Sequence, residues 1–189
     1  ISINPLKGFP ARTFERKGFK VSDPERWHDS QDPEWEWKGT TSSDEFVGYI
    51  FITALMNEMV AETESEKKRV ADFIDKILTH IIDNNYYFVD IDGKPTLWGR
   101  WNPEYINSFP ESVEDRKLGS AHILAGLQLG YTLTGKEKYK TELVSLTGAM
   151  RRKVEIINKI EIVIATDEHV DVSELENNYQ VQLNIITCK

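Results

Sequence analysis

The chain has 189 residues and is 40% hydrophobic, 29% charged and 11% aromatic. That composition belongs to a folded globule and excludes a disordered or collagen-like chain. With 31 acidic against 23 basic residues the net charge is −8, which argues against a nucleic-acid backbone as partner. Cys188 is the single cysteine, so an intrachain disulfide framework and a Cys-based zinc site are excluded. Polar residues break every apolar run short of the roughly 18 residues that a membrane span needs.

No signal peptide is recognisable at the start. The chain opens on Ile1 and stops on the apolar run Ile185-Ile186-Thr187-Cys188-Lys189, as expected of a piece of a longer chain. Residues 1–43 carry Pro5, Pro10, Pro24 and Pro33 together with Trp27, Trp35 and Trp37. Proline at this density reads as a long loop, and the tryptophans argue that the loop is ordered.

A first helix is expected from about Asp44. Ser42-Ser43-Asp44-Glu45 is a capping box, in which Ser42 caps and Glu45 reaches back. Over residues 46–60 apolar side chains fall on nearly every face, the pattern of a helix covered on all sides. A second helix begins near Ser65, behind the possible box Thr63 to Glu66. Val70, Phe73, Ile74, Ile77, Leu78, Ile81 and Ile82 form its single apolar stripe, opposite Lys67, Lys68, Arg69, Asp72, Asp75 and Lys76.

Asp92-Gly93 between two short apolar arms predicts a β-hairpin with a two-residue type I′ turn. Residues 98–104 follow as a loop. A third helix, residues 118–133, is again apolar on most faces and contains Gly119, Gly126 and Gly130. Glycines there predict close packing of another element, since each costs about 1 kcal/mol relative to alanine. Gly135 is placed to terminate it. A fourth, amphipathic helix runs from about Lys136 through Ile157. Residues 161–165 read as a strand or as the end of that helix, and Ser173 to Glu176 as the cap of a last helix through Ile186.

Fully apolar helices thus alternate with striped ones. The alternation predicts two layers, with the first and third helices inside and the second and fourth outside. The expected fold is all-α, an incomplete α/α toroid of helical hairpins with one small β-hairpin. Residues 1–43 would pack on it as a loop segment, continuous in one domain with residues 44–189.

Thr41-Ser42-Ser43-Asp44-Glu45, Asp90-Ile-Asp-Gly-Lys-Pro95 and Trp98-Gly-Arg-Trp101-Asn-Pro-Glu104 resemble a group of largely uncharacterised bacterial proteins with the six-hairpin-glycosidase-like α/α toroid fold. Pro10-Ala11-Arg12 and Tyr131-x-x-Thr134-Gly135 fit the same group. The resemblance covers residues 8–140 and implies a toroid of carbohydrate-active ancestry, with export to the periplasm or beyond in a bacterium. Members of the group often carry His where this chain has Tyr49, and residues 160–189 do not match. A closed ring takes more helical hairpins than this chain holds, so exposed apolar surface and self-association are expected.

Candidate chemistry lies at the helix starts and the tryptophan-rich run. Asp44 and Glu45 can serve as acid or base on a glycosidic oxygen, although capping alone also explains them. Glu104 would be the partner carboxylate, at about 5–5.5 Å for a retaining and 6.5–9.5 Å for an inverting glycosidase. Trp37, Trp98 and Trp101 offer flat faces for a sugar ring, and Arg100 can hold a uronic carboxylate. A structural plug of tryptophans with Arg100 stacked on one of them competes with that reading. Tyr49 with Arg100 would suit a polysaccharide lyase instead. His122 can face the toroid axis, or be a satisfied core histidine. No His-x-x-x-His, P-loop, G-x-G-x-x-G or G-x-S-x-G motif is present, so no metal or cofactor is expected. The expected ligand is an oligosaccharide or polysaccharide. A glycoside hydrolase and a non-catalytic glycan-binding or structural domain both remain open.

Overall fold

A computed structural model describes residues 3–19, 22–107, 114–149, 161–166 and 182–187. The chain divides into two compact units, Ile1–Arg151 and Arg152–Lys189. In the second unit, β6 (Glu161–Thr166) pairs in parallel with β7 (Gln182–Thr187), Glu161 opposite Gln182 and Thr166 opposite Thr187. The last helix expected through Ile186 is therefore a strand where it is described. Its β-branched Ile185-Ile186-Thr187 favours extended backbone. The expected cap at 173–176 and the helix end at Ile157 lie outside the described residues.

The first unit opens with a three-stranded antiparallel sheet, not a loop. β1 (Thr13–Arg16), β2 (Trp27–Asp29) and β3 (Trp35–Lys38) lie in the order β1-β3-β2. Phe14 and His28 both stand opposite Trp37, which points from the central strand into the core. Prolines sit where a ladder tolerates them: Pro24 starts a single 3-10 turn before β2, and Pro33 lies in the turn before β3. Asp32 Oδ1 accepts the Glu34 N–H at 3.0 Å in that turn, the local bond that favours Asp in turns.

α1 (Ser43–Leu55) carries the expected capping box on Ser42 and Glu45, and runs into a π-helical turn, Met56–Val60. α2 (Glu64–Asp83) carries the second box, on Thr63 and Glu66. Its predicted stripe is realised at Ile74, Ile77, Leu78 and Ile81, which are buried, whereas Phe73 is left 42% exposed. β4 (Tyr87–Val89) and β5 (Pro95–Arg100) form the hairpin. Its turn differs from the expected type. The Gly93 N–H donates to Asp90 O and the Asp90 N–H to Lys94 O, both at 2.9 Å, and Gly93 has φ +75°. This is a three-residue loop closed by a left-handed glycine. α3 (Pro103–Asn107), α4 (Glu114–Thr134) and α5 (Glu137–Ala149) follow. Gly135, at φ +65°, ends α4 by donating to Tyr131 O at 2.8 Å, an αL cap.

α4 is the central helix, touching α1, α2, α3 and α5. Its glycines permit those approaches: a Cβ on Gly126 would lie 2.7 Å from Phe46 Cζ, and one on Gly130 would run into Leu78. Phe46, Phe88, Trp101 and, from α5, Tyr139 are all buried in the same core. The Tyr139 hydroxyl donates to Asp75 at 2.6 Å, and Lys136 pairs with the same carboxylate at 2.7 Å. Burial works against the Asp75 charge, but these two partners hold its carboxyl below the usual range.

The expectation of an all-α incomplete toroid is overturned. Five strands in two antiparallel sheets, and the parallel pair of the second unit, make the content mixed. The two-layer argument fails at α1. That helix buries Phe46 and Thr53, while Phe51 is 64% exposed and Met59, in the π turn, 76%. Apolar side chains on every face show that a surface can be covered; they do not supply the cover.

His80 gives the fold a pH dependence. Its Nε2 accepts the Val89 N–H at 3.2 Å, so the ring is neutral there. Burial pushes its pKa below the ordinary 6.5, against weaker raising effects from the Lys7 backbone and from Asp83 and Asp90. Below pH 6.5 the unfolded chain takes up a proton that the folded chain refuses, so stability present above that pH is lost as the pH falls. Urea titrations between pH 7.5 and 5 are expected to show falling stability, with a shallower slope in His80→Gln. An identical slope in that variant would contradict the assignment.

Candidate functional site

A cleft of about 390 Å³ opens where α1, β5, α3 and α4 converge. The start of α1 supplies Ser42, Ser43 and Asp44; β5 supplies Leu97, Trp98 and Arg100; α4 supplies Leu118, Gly119 and His122. Arg12, Trp101 and Tyr105 complete the wall.

Local chemistry sets each orientation. Gly99 lets β5 press on Phe88, since a Cβ there would lie 2.7 Å from the Phe88 ring and from Thr96 Oγ1. Thr96 Oγ1 donates to Thr41 O at 2.9 Å and accepts the Gly99 N–H at 3.0 Å. The strand is thereby pinned to the α1 cap. Trp98 is left 59% exposed at the rim. Arg100 Nε donates to Thr96 O at 2.7 Å, and its guanidinium lies 5.3 Å from the Tyr105 ring centre. That ring holds the cation by its face.

Asp44 is exposed in the first turn of α1. Its charge acts on His122, raising that pKa, but burial acts more strongly and the net shift is downward. The imidazole is therefore neutral at pH 7, and its Nδ1 is buried without a hydrogen-bond partner among the described residues.

Of the residues expected from the sequence, the cleft gathers Asp44, Trp98, Arg100, Trp101 and His122. Trp101 is fully buried beneath it, with Phe46 and Phe88 ring centres at 4.8 and 4.9 Å, so its face is not open to a ligand. Glu45 is committed to the α1 cap. Its Oε2 accepts the Ser42 N–H at 2.7 Å, and its Oε1 lies 3.3 Å from Arg12 Nε. Trp37 packs in the core against Phe9 and His28. The Tyr49 hydroxyl donates to Ala11 O at 3.2 Å, and burial pushes its pKa up, with the Glu45 charge adding to the shift. Glu104 is exposed and outside the cleft wall. Its N–H donates to Asn102 Oδ1, the side chain that caps α3.

Arg12 and Tyr105 were not picked out as site residues by sequence reasoning. Asn102-Pro103-Glu104 is a helix-start signal that would have placed Tyr105 in a first turn. Nothing local marks Arg12, whose place depends on Glu45 far along the chain. Among the described residues no group of three or more His, Cys, Asp or Glu is arranged to hold a metal, and no helix is long and apolar enough to cross a membrane. Comparison with protein-family models, curated proteins and solved structures finds no match.

Proposed function

We propose that this domain binds a saccharide in the cleft, without catalysing its hydrolysis. The observation that carries the reading is Trp98, a large aromatic side chain left 59% exposed on β5, lining the cleft with Arg100 and Asp44. A flat apolar face with charged hydrogen-bonding groups at its edge suits a sugar ring, which has an apolar face and a polar rim. Binding is favoured over hydrolysis because of the carboxylates. Among the described residues Asp44 is the acidic side chain in the wall, Glu45 is spent on the helix cap, and Glu104 stands outside. A two-carboxylate mechanism needs both groups across one substrate.

The test is calorimetric titration of the chain with neutral and acidic oligosaccharides, repeated on Trp98→Ala. The expected result is saturable binding that weakens about tenfold, or ~1.4 kcal/mol, in the variant. Its melting temperature should barely change, because exposed substitutions rarely move stability by more than about 0.5 kcal/mol. Absence of binding by the whole panel, or equal affinity in the variant, would refute the proposal.

A further inference from the structure

The cleft beside Trp98 carries two charges of opposite sign that no neighbour has claimed. Asp44, exposed in the first turn of α1, and Arg100, half-buried on β5, both line it. Among the described residues neither forms an ion pair, with the other or with a third group. The remaining cation of the wall is committed. Arg12 Nε lies 3.3 Å from Glu45 Oε1, and its Nη1 donates to Thr40 O at 3.4 Å. His122 adds no charge at pH 7, because burial keeps its ring neutral.

The open hydrogen-bonding capacity of the two groups is also of opposite kind. The Asp44 carboxylate can only accept, and no described group donates to it. Arg100 can only donate. Its Nε is used on Thr96 O at 2.7 Å and its face on Tyr105, which leaves the terminal nitrogens.

We infer that the cleft, if the saccharide proposal above holds, selects an uncharged sugar over acidic and amino sugars, with Asp44 and Arg100 setting the choice. A sugar hydroxyl both donates and accepts. One ring with neighbouring hydroxyls therefore answers Asp44 with an O–H and Arg100 with an oxygen lone pair. A uronic carboxylate would meet Arg100 but stand against Asp44. An amine would meet Asp44 but stand against Arg100. A cleft of about 390 Å³ is comparable in width with the Debye length, about 10 Å at 0.1 M salt, so a charge on the bound ring feels both residues. Like charges brought together in this way are costly, and they exclude wrong partners more than they strengthen right ones.

The experiment titrates the full chain, by calorimetry in low salt, with oligosaccharides of glucose, galactose and mannose. Each is set beside a form with the C6 alcohol oxidised to a carboxylate and a form with the C2 hydroxyl replaced by an amine. For whichever sugar binds, the neutral form is expected to be about tenfold tighter than either charged form. The methyl ester of the acidic form, which has the shape without the charge, should bind nearly as well as the neutral form. Asp44→Asn should bring the acidic form to within about twofold of the neutral one, and Arg100→Gln should do the same for the amino form. Asp44 is exposed, so its variant is expected to fold; if Arg100→Gln fails to fold, Asp44→Asn decides. A charged form that binds as tightly as the neutral one would overturn the inference and leave the saccharide proposal standing. An acidic-to-neutral ratio unchanged in Asp44→Asn would do the same. Absence of binding by every form would overturn both.

Discussion

Trp101→Ala is expected to lower the unfolding free energy by about 3–5 kcal/mol, the usual cost of emptying a large aromatic site in a core. Trp101 is fully buried, and Phe46 and Phe88 pack on its ring. Its backbone N–H donates to Tyr86 O at 2.8 Å, fixing it to the start of the hairpin. The indole N–H has no hydrogen-bond partner among the described residues, so the loss comes from packing. Against a typical total of about 5–15 kcal/mol, that much brings the fold near its limit. Urea denaturation followed by circular dichroism measures it. A change below about 1 kcal/mol would mean that Trp101 is a surface platform after all. The comparison with Trp98→Ala is sharp, because two tryptophans three positions apart are assigned opposite roles.

Gly8→Ala should destabilise the domain by about 2–4 kcal/mol. Gly8 has φ +79°, and an added Cβ would run into the Lys76 carbonyl oxygen while lying 2.9 Å from His80 Cβ. A left-handed alanine costs roughly 1 kcal/mol, and overpacking against α2 adds about 1–3 kcal/mol. The obstacle is backbone, so a rotamer change cannot relieve it. The segment would have to lift, and Phe9, buried against Trp37, His80 and Phe88, would lift with it. Its urea midpoint should fall clearly below that of the parent chain. An unchanged midpoint would show that residues 3–9 do not help to hold the core.

The helices were legible because their signals are local. The Ser42–Glu45 and Thr63–Glu66 boxes and the Gly135 stop each act within a few residues, and all three are realised. The stripe on α2 and the close packing at Gly126 and Gly130 were also legible. The N-terminal sheet was not. Its central strand, Trp-Glu-Trp-Lys, is four residues long and pairs with Thr13–Arg16 across some twenty intervening residues. Prolines and glycines in those residues outweighed the short alternation of the strands. The toroid reading failed for another physical reason: apolarity around α1 reports a need for contact, not its source. Part of that surface lines an open cavity.

The candidate site was legible in part. Trp98, Arg100, Asp44 and His122 do meet, because Trp-Gly-Arg places two outward side chains around a glycine that presses on the core. The roles of Trp37, Trp101 and Tyr49 were not legible, whereas the cap made by Glu45 was. Residue type does not distinguish an aromatic ring for a ligand from one for a core. That distinction is made by partners such as Phe46 and Ala11, distant in sequence.

The most direct test of the proposed saccharide binding is an NMR titration that follows the five tryptophan indole N–H signals while an oligosaccharide is added. Saturable movement of the Trp98 signal, with those of Trp37 and Trp101 unmoved, is the predicted result. Movement confined to other tryptophans, or none with any saccharide, would contradict it.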